Sequence, residues 1–267
     1  MTDPLGALFR KTLRDQQRAF VAWAIGLAGV ATMYAAFYPS IRKSASSLQR
    51  YLQSLPDAVK SLIGGDFTTP AGYLRSETFS VLGPILFLVF AIGAGARAIA
   101  GEEEGRTLDL LLSAPVRRRQ VLFDKWISLV LTALGLAVVL GVTIAAVGPP
   151  FELHIATVDL ASACSMLFLL AVTFGTIALA VGCITGRRGL AIGVTGGVAT
   201  LTYILNALAP AVHGLSSVRP FSPFRWYLEP DPLLHGVAVV NVGVLIAITA
   251  IAYAVAWYSF ERRDLRA

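Results

Sequence analysis

Between Arg18 and Arg42 the chain runs 23 residues without a charge, and similar runs recur at 78–96, 126–151, 160–186, 189–212 and 236–260. Nothing else in the sequence limits the fold as strongly. About 20 apolar residues wound as a helix cross the ~30 Å hydrocarbon core of a bilayer. In that core each backbone N–H and C=O needs a partner, and a helix supplies one within the segment itself. The pattern predicts an all-α integral membrane protein with six transmembrane helices. Residues 1–267 form a single domain with spans near 19–41, 78–97, 126–148, 160–186, 189–210 and 236–260. External loops are expected at 42–77, 149–159 and 211–235. Only 14% of the residues are charged, against roughly 25% in soluble chains. The first run has no small-residue cleavage site behind it and is expected to be retained.

The remaining charges set the orientation. With the N-terminus inside, the inner segments hold fifteen basic residues and the outer ones seven, five of them in the long 42–77 loop. Basic residues collect in short cytoplasmic loops, so both termini are expected in the cytoplasm. Residues 3–18 alternate Leu5, Leu8, Phe9 and Leu13 with Arg10, Lys11, Arg14 and Arg18. That spacing suits an amphipathic helix at the inner membrane surface. Leu48, Tyr51 and Leu52 have helical spacing before Pro56, so the first external loop is expected to hold one or two short helices. The 210–235 stretch mixes five prolines with Phe221, Phe224, Trp226 and Tyr227. It reads either as a broken, partly inserted segment or as an irregular surface loop with aromatic anchors.

One connector departs from the rest. Residues 101–125, GEEEGRTLDLLLSAPVRRRQVLFDK, carry five acids and five bases between the second and third spans. Glu102, Glu103 and Glu104 precede a helical stretch, where the helix dipole favours negative charge. Thr107 is a candidate N-cap. Leu108, Leu111 and Leu112 make an apolar face at helical spacing, and Pro115 closes it. A short amphipathic helix at the cytoplasmic face is expected, charged on both flanks.

Other chemistry is sparse. No ionisable residue lies mid-span, where proton- and ion-coupled carriers place them. Asn206 and Asn241 are the notable intramembrane amides and are expected to bond between helices. Small residues recur every fourth position at Ala133, Ala137, Gly141 and Ala145, and at Gly189, Gly193 and Gly197. Such stripes let backbones approach closely, within one bundle or between subunits. The sequence has no G-x-S-x-G elbow, no H-E-x-x-H helix and no G-x-x-x-x-G-K-[ST] loop. No catalytic, cofactor or metal site is expected in this chain, and no nucleic-acid partner.

The 101–125 segment resembles the connector of type-2 ABC exporter permeases, whose pattern is like E-x-x-x-G-T-L-[DE]-x-L-L-[ST]-x-P followed by basic residues and a lysine. Here it reads Glu102-Glu103-Glu104-Gly105-Arg106-Thr107-Leu108-Asp109-Leu110-Leu111-Leu112-Ser113-Ala114-Pro115, then Arg117, Arg118 and Lys125, with Arg106 inserted between Gly105 and Thr107. Leu55-Pro56-Asp57-Ala58 and Ser222-Pro223-Phe224 are similar too. The resemblance implies a permease subunit of an ATP-driven exporter in the bacterial plasma membrane. It would pair with a second copy or a paralogue, above two ATPase subunits that bind the ATP and Mg. The cargo is expected to be amphipathic or hydrophobic. The ATPase-coupling residues implied are Glu102, Glu103, Glu104, Gly105, Thr107, Leu110, Leu111, Pro115, Arg117 and Arg118. The alternative is a non-transport membrane assembly or sensor subunit.

Overall fold

The computed structural model describes residues 4–53, 69–105, 118–210, 212 and 215–263, with side chains of the first helix described from Gln17 to Ser44. Six long helices carry the chain: α1 Pro4–Gln53, α2 Pro70–Glu104, α3 Arg118–Val147, α4 Thr157–Thr185, α5 Arg188–Leu208 and, after two short ones, α8 Val239–Arg262. The short helices are α6 Pro223–Leu228 and α7 Pro232–His235. Among the described residues there is no strand. Each long helix contains a window apolar enough to span a membrane, which makes this a multi-pass membrane protein. Val138, Val142, Ile246 and Ile251 point outward, as a lipid-facing surface requires. The end of the bundle that carries Glu102–Gly105 is called the inner end below, following the charge asymmetry.

Helix α1 runs unbroken through both its basic start and Leu48–Gln53. The N-terminal segment and the start of the external loop are thus continuations of the first span. Residues 106–117 of the 101–125 segment, where a coupling helix is expected, and loop residues 54–68 lie outside the described residues. Helix α2 starts early because Thr69 caps it, its Oγ1 accepting from the Gly72 N–H at 3.1 Å, and Pro70 suits the first turn. Two stretches of α2, Arg75–Leu82 and Arg97–Gly101, are wound as wider π turns. In the first, the Gly83 N–H reaches back five residues to the Thr78 carbonyl.

Helix α4 is the centre and touches α2, α3, α5 and α8. Inside the bundle lie 72% of its apolar window and 61% of that of α2, against 17–33% for the other four. The two helices meet backbone to backbone: a Cβ on Gly95 would stand 2.0 Å from the Gly175 carbonyl oxygen, and one on Gly175 3.1 Å from that of Ala91. Contacts this close are how helices gain packing energy in lipid, where the hydrophobic effect does not separate helix from solvent. Polar links add to them. Trp126 Nε1 donates to Thr176 Oγ1 at 3.0 Å, joining α3 to α4, and Thr173 meets Thr249 at 3.0 Å, joining α4 to α8.

The two small-residue stripes have different fates. On α3, Ala133 and Ala137 are buried, and a Cβ on Gly141 would be 3.4 Å from Cys164 Sγ. On α5, added Cβ atoms at Gly189, Gly193 and Gly197 would meet nothing within 4 Å. That stripe faces away from the bundle.

The segment before α8 folds inward. Phe224, Tyr227 and Leu233 are buried, and the Phe224 ring lies 5.7 Å from Phe174 and 5.2 Å from Tyr203. Phe174 is about 25 Å along α4 from Thr157 at 1.5 Å per residue. Its prolines start short helices instead of breaking a long one, and side chains supply the missing backbone partners. Tyr227 donates to the Phe79 carbonyl at 2.6 Å, Ser222 to the Thr202 carbonyl at 2.8 Å and Trp226 to that of Pro220 at 2.8 Å. Burial pushes the Tyr227 phenol well above its usual pKa, so it stays a neutral donor. Asn206 and Asn241 also bond this segment, not a neighbouring span: Asn206 Oδ1 accepts from Arg219 Nε at 3.3 Å, and Asn241 donates to the Glu229 carbonyl.

The α2–α4 contact leaves no space for a side chain. Gly95→Ala is expected to lower stability by about 1–3 kcal/mol, the usual range for overpacking, whereas Gly193→Ala should be neutral or slightly stabilising. Thermal melts of the two variants in one detergent would check this, and equal melting temperatures would refute it.

Candidate functional site

Three consecutive glutamates end α2, and each takes a different partner. Glu102 Oε1 lies 2.6 Å from Lys125 Nζ on α3. Glu103 pairs with Arg263, just beyond α8. Glu104 Oε1 accepts the backbone N–H of Arg188 at 2.9 Å, at the start of α5. Successive helical residues point about 100° apart, so a triplet at a helix end fans out toward three neighbours. The partners are polar groups otherwise short of one. Lys125 is only 8% exposed, and a buried ammonium needs a counter-charge. The Arg188 N–H belongs to the first turn of a helix, which has no acceptor of its own and whose dipole favours an anion.

Arginine side chains close the same end. Arg263 Nη1 donates to the Cys183 carbonyl at 2.9 Å, in the last turn of α4. Arg118 Nη1 donates to the Arg263 carbonyl at 3.0 Å and the Phe260 carbonyl at 3.4 Å, at the C-terminus of α8. Such carbonyls lack helical donors and attract cations. Helix α4 ends at Gly186, whose φ of 63° is left-handed. A Cβ there would fall 2.0 Å from Arg263 Nη2 and 2.7 Å from Glu103 Oε1. Glycine is needed twice over, for conformation and for space.

Five of the ten residues assigned to ATPase coupling are described. Glu102, Glu103 and Arg118 bind other helices of the same chain, Glu104 bonds α5 while remaining exposed, and Gly105 is exposed behind its helix. Thr107, Leu110, Leu111, Pro115 and Arg117 lie outside the described residues. The segment 106–117 therefore leaves one charge-bonded anchor at Gly105 and enters another at Arg118. Lys125, Arg188 and Arg263 complete these anchors; in the sequence Lys125 stands as the lysine of the connector pattern, and the two arginines serve only as topology signals. The signal available for Lys125 was its isolation at a span boundary with an acidic triplet on the preceding one.

The family model of the ABC-2 family transporter protein matches residues 7–265. The chain belongs to the ABC-2 family. Among curated proteins none matches it. Membership agrees with the six spans and gives an ABC-2 membrane subunit a permease role beside an ATPase partner. In this ABC-2 protein one large groove opens beside the anchors. It has a volume of about 630 Å³ and lies between α1, α2 and α5. Trp23, Val89, Ile92, Gly93, Ile192 and Gly196 give it an apolar wall, Tyr203 and Phe224 lie at its outer end, and Arg97 and Arg188 at its inner end.

Lys125→Met is expected to destabilise the protein by about 2 kcal/mol, because it removes the cation that faces the partly buried Glu102 carboxylate. Adding Glu102→Gln should restore at least half of that loss. A double-mutant cycle on thermal stability reads the coupling, and additive effects would show that the pair contributes nothing.

Proposed function

We infer that this chain is the permease subunit of an ATP-driven exporter in a bacterial plasma membrane, with both termini in the cytoplasm. Two ATPase subunits dock at the inner end and hold the ATP and Mg. A second copy or a paralogue completes the pathway, and the cargo is amphipathic or hydrophobic. The carrying observation is that residues 106–117 are held at both ends by charged groups tied to α3, α4, α5 and α8. A partner pressing on that segment would act on all of these helices through the anchors. The sequence of the segment supports such a partner: an apolar Leu108, Leu111 and Leu112 face stands between opposite charges, and charge complementarity fixes register at an interface. The absence of a P-loop pattern fits an energy source on a separate chain. The open glycine face of α5 supports a pathway formed where two permeases meet.

This reading separates docking residues from anchors. Leu111→Asp and Arg117→Glu should each reduce co-purification of the ATPase by about thirtyfold, the effect of losing an interface hot spot. Export should fall with it, while the melting temperature of the permease stays unchanged. An assembly or sensor subunit would keep its partners and show no export to lose.

A further inference from the structure

We propose that the groove between α1, α2 and α5 receives one hydrocarbon chain of a phosphate-headed anionic lipid from the inner leaflet, its head group held between Arg97 and Arg188. This rests on the transport reading above and names the chemical class of the cargo.

The groove is long and thin. From Val81 to Arg97 it follows α2 for about 24 Å at 1.5 Å per residue, which is most of the hydrocarbon thickness of a leaflet pair. A volume of about 630 Å³ over that length gives a mean section of about 26 Å². One extended hydrocarbon chain fits a section of that size. Gly93 and Gly196 keep the groove open, since a Cβ on either would meet nothing within 4 Å. Trp23 is set edge-on against Phe90, ring centroids 5.9 Å apart, and gives the wall a fixed aromatic surface.

The inner end has the opposite character. Arg97 and Arg188 are both exposed and both line the inner end of the groove. Their stems flank Gly101, where a Cβ would lie 3.4 Å from Arg97 Cβ and 4.0 Å from Arg188 Cδ. The neighbouring cations are used within the chain: Lys125 by Glu102, Arg263 by Glu103 and Arg118 by carbonyls. Glu104, the carboxylate that touches Arg188, takes its backbone N–H and not its guanidinium. Among the described residues neither guanidinium of the groove meets a carboxylate. Two adjacent positive groups repel, and an anion between them relieves this. Guanidinium forks match phosphate oxygens, and long arginine stems reach from apolar surface to the head-group level. A phosphate head with its chain in the groove satisfies both ends at once.

The test uses the full chain reconstituted without its ATPase. Vesicles of neutral phosphatidylcholine are doped with a dibromo-chain phosphatidylglycerol or a dibromo-chain phosphatidylcholine at equal mole fraction. Quenching of Trp23 is read as the difference between wild type and Trp23→Phe. Phosphatidylglycerol should reach Trp23 about tenfold more readily, the order expected for two basic side chains at an anionic head. Arg97→Gln with Arg188→Gln should bring the preference close to one. Arg187→Gln, an exposed neighbour outside the groove, should keep it, and so should Arg97→Lys with Arg188→Lys. Equal quenching by both lipids, a preference that survives the double glutamine variant, or no quenching because a second copy covers the groove would each overturn the proposal. If the double variant fails to fold, displacement of the quencher from wild type by unlabelled phosphatidylglycerol, and not by unlabelled phosphatidylcholine, decides. Since no ATPase is present, failure here leaves the docking reading standing, and failure of the docking variants leaves this result standing.

Discussion

The rest of the bundle depends on how closely α2 approaches α4. At Gly95 and Gly175 the two backbones touch, with no side chain between them. In lipid, apolar surface gains little by leaving its surroundings, so packing energy has to come from such close contact and from a few shared hydrogen bonds. These two helices form a spine, and the other four expose most of their surface to lipid or to partners. The position of the acidic triplet follows from it. Glu102–Glu104 can reach α3, α5 and the end of α8 because α2 is held tight against the helix around which those three stand.

The inner end then works as a set of substitutions for missing helix partners. The N-terminus of α5 obtains a carboxylate, the C-terminus of α8 obtains an arginine, and the last turn of α4 obtains another. Each bond satisfies a group that a membrane helix leaves open at its end. The same bonds make the ends of five helices a single mechanical unit. A transporter whose energy arrives from outside the membrane needs such a unit, and the family to which this chain belongs works with an ATPase partner.

Much of this was legible in the charge gaps. Six runs gave six spans. The triplet was visible as an anomaly, but its partners were not. Arg263 lies 160 positions from Glu103, and no local pattern announces a contact at that distance. Its place in a basic C-terminal cluster gave it an equally good reading as a topology signal. Periodicity also found two small-residue stripes without telling inside from outside, because glycine is as suited to a contact within a bundle as to one between bundles. Asn206 and Asn241 were read as links between spans. They bond the inserted segment instead, whose depth no composition rule measures.

The wider turn at Arg97–Gly101 has a further consequence. A π turn holds one residue more than the α-helical path it replaces, so everything beyond it is rotated by about 100°. The glycine face that meets α4 and the acidic end that meets α3, α5 and α8 are therefore set out of phase by design of length, not of composition. Removing a single residue between Gly95 and Glu102 would turn the triplet a quarter-circle or more and misdirect all three glutamates together, with every one of them still in the sequence.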